Sequence, residues 1–221
     1  MEREDFAAMN INVSRAFRLV SSILLCALTC VAGHARQSGT RVVGQSPVEA
    51  GRQSPVEVIS VSVKGKAVEP GHPFAAGDDW LAGLTFRVRN VSDRPVSFVD
   101  ISLRVPAADR HKKGSVSLVG SVRYGCWPGF PCYPDAAGSS GEIMPGETRD
   151  VELTEARASG LLAAFARLGA AMPVESLEYD IDSAFFDADT QWSRGLLFRR
   201  DPSEPGTYKM AGKYVLPKKP D

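Results

Sequence analysis

Residues Trp80–Pro106, WLAGLTFRVRNVSDRPVSFVDISLRVP, decide the fold. Leu84, Phe86 and Val88 alternate with Thr85, Arg87 and Arg89, the period-two pattern of a strand with one buried face. That face needs a second sheet to cover it. Asn90-Val91-Ser92-Asp93-Arg94-Pro95 follows as a turn, because Asn and Asp side chains bond nearby backbone and Pro95 presets the exit. The pattern predicts two strands joined as a hairpin. On the return strand Val96 and Phe98 share one parity while Val99, Ile101, Leu103 and Val105 share the other, so a β-bulge near Phe98 to Asp100 is expected. Asn90-Val91-Ser92 is also an N-glycosylation sequon, and turn chemistry accounts for it without a glycan.

Upstream of this stretch, VEVISVSV from Val56 reads as a strand with Ile59, Val61 and Val63 on one face, ended by a turn at Lys64-Gly65-Lys66. Glu69 to Asp79 reads as a loop punctuated by Pro70, Gly71, Pro73 and Gly77. Downstream come a charged loop from Ala107 to Lys113, a strand from Val116 to Tyr124, the aromatic loop GCWPGFPCYPD, and a loop from Gly138 to Gly146. An edge-like strand from Glu147 to Leu153 leads into one helix, Thr154 to Ala171. Thr154 is its N-cap, and Leu161, Phe165, Leu168 and Met172 form one apolar stripe suited to plugging the open end of a sandwich. Pro173 stops it. Strands from Leu177 to Phe186, Trp192 to Arg199 and Tyr208 to Val215 follow, with turns at Asp187 to Thr190 and Asp201 to Gly206. Seven or eight short strands, one amphipathic helix and no βαβ alternation predict a mainly β fold, an immunoglobulin-like β-sandwich.

The sandwich domain is expected over 56–216, preceded by a signal peptide over 1–35 and a flexible leader over 36–55, and followed by a loose tail over 217–221. The leader holds a near repeat, GQSPVEA then RQSPVEV, too short for a solenoid unit. Leu19 to Ala35 is apolar, preceded by Arg15 and Arg18 and closed by small residues, the plan of a secretory signal cleaved after Ala35. A retained membrane anchor is the alternative, although the apolar core is short of the roughly 20 residues a span needs. A lipoprotein anchored through Cys30 is the other, and Met9 is an alternative start. A secreted or periplasmic location follows from the signal, with no membrane span after cleavage. Zero net charge and a pI near 6.8 carry no footprint of nucleic-acid binding.

LTFRVRNVSDRPVSFVDISLRVP resembles the strand, Asn-x-Ser/Thr turn, strand unit of immunoglobulin-like and fibronectin-like bacterial domains. The mature chain, with WSRGLLFRRDPSEPG near its end, resembles secreted bacterial β-sandwich proteins that have no assigned activity. The resemblance implies fold and export, not a mechanism. The Cys…Trp…Cys pattern of antibody domains is absent.

Cys126 and Cys132 remain after signal removal, and in an exported chain they read as one disulfide. By chain entropy so short a bridge stabilises by about 2.4 kcal/mol. It closes a loop holding Trp127, Phe130 and Tyr133; the preferred reading folds these rings back over the sandwich end, and if the protein has a contact surface they are the residues expected to form it. Asp180, Asp182, Asp187 and Asp189 supply oxygen atoms of the kind calcium takes, without the Gly and distal Glu of an EF-hand. His72 with Asp78 and Asp79 is the other metal-capable group. No GxSxG, HExxH or phosphate-cradling glycine loop occurs. The expectation is therefore a non-enzymatic binding or cell-envelope structural protein with no cofactor or metal, whose partner is an unidentified protein or envelope component. The alternative is a small extracellular hydrolase or metal-dependent enzyme using loop Asp and His residues.

Overall fold

Alternation along Leu84–Asn90 produces the strand it predicts: Leu84, Phe86 and Val88 are buried while Arg87 and Arg89 are exposed. The computed structural model describes residues 39–47, 52–106, 118–128, 141–204 and 206–217. These hold twelve strands: β1 (Gly39–Gln45), β2 (Val56–Val63), β3 (Lys66–Val68), β4 (Pro73–Ala76), β5 (Leu84–Asn90), β6 (Phe98–Val105), β7 (Leu118–Gly125), β8 (Thr148–Leu153), β9 (Ser176–Phe185), β10 (Thr190–Ser193), β11 (Leu196–Arg200) and β12 (Tyr208–Lys213). One helix, α1 (Glu155–Arg167), joins β8 to β9. The protein is mainly β, with two sheets in a sandwich arrangement. The expected signal peptide, the whole loop from Ala107 to Lys113 and residues 218–221 of the expected tail lie outside the described residues.

Strands β5 and β6 do not form the expected hairpin. β5 sits between β2 and β8 in an antiparallel sheet of order β3-β2-β5-β8, whereas β6 pairs with β7 and β9 in the other sheet. The connection is a corner that carries the chain across the core. Both strands are rich in apolar residues, and facing each other from opposite sheets buries more of that surface than lying side by side. Phe86 on β5 meets Tyr179 on β9 across the core at 5.1 Å between ring centres.

The corner is held by Asn90, which is 0% exposed. Its Nδ2 donates to the Arg94 and Ile143 carbonyls, each at 2.7 Å, and its Oδ1 accepts from the Ser92 N–H at 2.9 Å and the Ser92 hydroxyl at 2.7 Å. Every polar function of the amide is used, which accounts for the sequon by turn chemistry. Val96 and Ile143 complete the corner with a two-way backbone bridge of 3.0 and 2.7 Å.

Several local expectations are corrected. No bulge in β6 is needed to reconcile its two apolar parities, because both of its faces are buried. The irregularity lies in β9, where Asp182 is the extra residue opposite Asp100 and Ile101. In β2 a register shift between Val58 and Ser60 turns Ile59 outward, leaving it exposed while Val61 and Val63 face the core. The expected single strand over Trp192 to Arg199 is a hairpin of β10 and β11, turning on Arg194 (φ 50°) and Gly195 (φ 85°). Two positive φ values make this the mirror-image turn that matches strand twist, as Lys64 and Gly65 do between β2 and β3. Part of the expected leader is β1, and the expected loop over Glu69 to Asp79 contains β4. Each found a partner that composition did not reveal: β1 runs antiparallel to β4 and parallel to β9. With the short strand β3, these additions raise the strand count from the expected seven or eight to twelve among the described residues.

Helix α1 begins after Thr154, and Ala158 and Phe165 enter the central core. Its stripe is shorter than expected. Leu168 is the C-cap, Gly169 takes a φ of 85°, and Leu168 and Met172 are exposed.

Replacing Asn90 by Ala removes four hydrogen bonds at once and takes away the acceptor of the buried Ser92 N–H, while the Arg94 and Ile143 carbonyls keep the Ser92 hydroxyl and the Val96 N–H as donors. Asn90→Ala is expected to cost about 3 kcal/mol and to lower Tm by roughly 6–12 °C in thermal unfolding. A shift under about 2 °C would mean the corner holds without the amide.

Candidate functional site

β9 is ten residues long and has two edges. Strand β6 covers one of them from Glu178 to Phe185. The other is shared: β1 pairs with Ser176 to Tyr179, and β10 with Ser183 to Phe185. Between them, at Asp180, Ile181 and Asp182, the sheet forks. A cleft of about 430 Å³ opens there and reaches inward to Val56 and Val58 of the opposite sheet. Its apolar wall includes Tyr179 and Trp192, both largely buried, and its polar lining includes Gln45, Arg52, Gln53 and Asp180. The segment leading into β2 is tied across it: Trp192 Nε1 donates to the Gln53 carbonyl at 3.1 Å, and the Leu216 N–H donates to Gln53 Oε1 at 2.9 Å. Burial pushes the Tyr179 hydroxyl above its ordinary pKa.

The aromatic loop is only partly described. Trp127 does not project as a free tip; its ring lies 5.4 Å from Phe98 and 5.3 Å from Phe185, centre to centre. Phe98 and Phe185 are paired across β6 and β9, and Tyr208 packs on Phe185 at 5.7 Å. These rings sit on the face of the larger sheet opposite the central core, since Val99 and Ala184, their neighbours in sequence, point into it. Gly125 permits the close approach: its φ is 75°, and a Cβ there would stand 2.1 Å from the Ser97 carbonyl oxygen. Phe130, Cys132 and Tyr133 lie outside the described residues, so only Trp127 and Cys126 of the expected site are placed.

Along the same outer face runs a polar row that sequence reading missed. Asp100 and Ser102 of β6 face Ser183 and Asp180 of β9, and all four are buried. Burial raises the Asp100 pKa, opposed by Arg123, whose Nε is 3.4 Å from Asp100 Oδ2, and by Ser121; Asp182 adds to the rise. The available signal was the alternation of Asp100, Ser102 and Arg104 with apolar residues, which reads equally well as a wet face.

The carboxylates considered for metal are dispersed among cations. Asp182 takes Arg194 through Nε at 2.8 Å and Nη2 at 2.6 Å. Asp187 takes Arg94 at 2.6 Å while its other oxygen accepts the Asp189 N–H at 2.8 Å, and Asp189 lies 3.8 Å from Arg200. Asp78 pairs with buried Arg41 at 2.7 Å, Asp79 with Lys64 at 2.8 Å, and His72 stands 3.5 Å from Glu69. Among the described residues no group of three or more His, Cys, Asp or Glu is placed to hold a metal ion.

Because the folded state favours the protonated form of Asp100, its charge costs stability once the pH rises above the ordinary carboxylate range. Asp100→Asn is therefore expected to unfold at a higher Tm than the parent at pH 7, with the gap closing as the pH is lowered below 4. Thermal melts across that range check it, and a gap that widens on acidification would reverse the sign.

No protein-family model matches this sequence, and comparisons with curated proteins and with solved structures found no match to the chain or its fold.

Proposed function

We propose that the chain is an exported, non-enzymatic binding or cell-envelope structural protein on an immunoglobulin-like sandwich, and that its contact site is the fork cleft in β9. One observation carries this reading: a volume of about 430 Å³, the size of small-ligand sites, combines a buried aromatic wall with amide and charged groups at its mouth. Such a lining suits a ligand or partner group with an apolar body and a polar edge. Trp127 is less suited to the alternative role of a contact residue, because much of its ring is engaged by Phe98 and Phe185. The hydrolase alternative relies on loop carboxylates of which Asp78, Asp79, Asp182, Asp187 and Asp189 each face a cation, which speaks against it.

Export rests on the Leu19 to Ala35 signal and on the cysteine pair. The pairing of Cys126 with Cys132 would brace the loop that delivers Trp127 to the outer face.

Intact mass on protein from the exporting cell's fractions tests the compartment. A species beginning near Arg36, alkylated at both cysteines only after reduction, is expected; a chain retaining its N-terminus with free thiols would overturn export. The cleft is tested with Gln45→Trp, an exposed position whose enlargement fills the mouth. Chemical crosslinking in the envelope fraction is expected to yield about tenfold less adduct than the parent at unchanged Tm. Equal adduct would remove the cleft from the proposal. Loss with Phe130→Ala and Tyr133→Ala, but not with Gln45→Trp, would return the contact surface to the aromatic loop.

A further inference from the structure

Both sheets end on the same side of the molecule. Among the described residues β3 pairs only with β2 and closes the smaller sheet, and β4 pairs only with β1 and closes that arm of the larger one. Between these two edges lies a groove of about 350 Å³ lined by Val63, Val68, Phe74, Ala76 and Trp80, with Lys66 at its rim. Its floor is fixed: Trp80 is buried, its Nε1 donates to the Val174 carbonyl at 2.8 Å, and Phe74 packs edge-on against it at 5.6 Å. The walls are backbone ladders with one side unmatched among the described residues.

We propose that this groove docks an extended segment of another protein, one that places an apolar side chain in the groove and an acidic side chain beside Lys66. The extended form follows from the two edges, because a strand lying between them gains main-chain hydrogen bonds that neither edge makes among the described residues. The apolar residue follows from Val68, Phe74 and Trp80. The acidic residue follows from charge. Lys64 is matched by Asp79 at 2.8 Å, and Asp78 by Arg41 at 2.7 Å, whereas Lys66 is exposed and makes no ion pair among the described residues. Lys66 also argues against a second copy of this chain as the occupant, since bringing two β3 edges together places this unmatched lysine near its own kind and supplies no carboxylate from β3. This site is separate from the fork cleft.

The test uses the mature chain and two blocked peptides, Thr-Val-Glu-Val-Thr and its Lys-for-Glu counterpart. Hydrogen exchange is expected to slow at amides of Lys66–Val68 and Phe74–Ala76 when the Glu peptide is added. The Glu peptide is expected to bind roughly two- to fivefold more tightly than the Lys peptide, and Lys66→Glu is expected to invert that order. Unchanged exchange at both edges, or equal affinity for the two peptides, would overturn the proposal. So would a concentration-dependent dimer that protects the same amides without peptide.

Discussion

The sandwich depends on one buried amide. A chain leaving β5 must stop pairing with its own sheet, cross the core and begin β6 in the other, and it does so with polar backbone enclosed. Enclosed carbonyls and N–H groups are costly unless matched. Asn90 matches several at once because it donates twice and accepts twice from one short side chain, a capacity that neither Asp nor Ser has. With the corner set, Leu84, Phe86 and Val88 face Val99, Ile101 and Leu103 instead of lying beside them. Trp80, Phe165 and Trp192 then close the remaining apolar volume.

The second organising device is the long strand β9. It is the only described strand that three others pair with, and the two sharing one edge run in opposite directions, β1 parallel and β10 antiparallel. They cannot meet end to end without a gap, because each is led away by its own partners, β4 on one arm and β11 with β12 on the other. The cleft is the geometrical remainder of that divergence. Asp182, the extra residue in β9, falls at the divergence and is held by Arg194 from the β10–β11 turn.

What was legible in the sequence was what alternates. Leu84 to Arg89, the helix around Phe165 and the turn at Lys64-Gly65 follow from local periodicity and backbone preference, and the structure keeps them. Where a residue's role depends on a distant partner, the pattern misleads. Asn90 reads as an ordinary hairpin turn because nothing local says that Ile143 will accept its second proton. Phe98 looks misplaced on its strand until Phe185 and Trp127 arrive from elsewhere in the chain. Gly39 to Gln45 has the composition of a linker and becomes a strand only because β9 and β4 flank it. The cleft and the groove were illegible for the same reason: each is bounded by strands whose adjacency is a property of topology. The aromatic loop was legible as a feature, and Trp127 shows that crowding of rings in a sequence does not separate a contact surface from an inward brace.

Pairing Val42 with Ser176 joins β1 to a strand made more than a hundred residues later. For a chain that threads through a membrane N-terminus first, β1 emerges long before the strand it must lie against. Until then β1 and β4 can form only a two-stranded ribbon, which is marginal alone in water. Contacts this distant in sequence slow folding, because the loop they close must be ordered before they contribute. The larger sheet is thus completed late, and until then its unfinished edges are surfaces that other chains can reach.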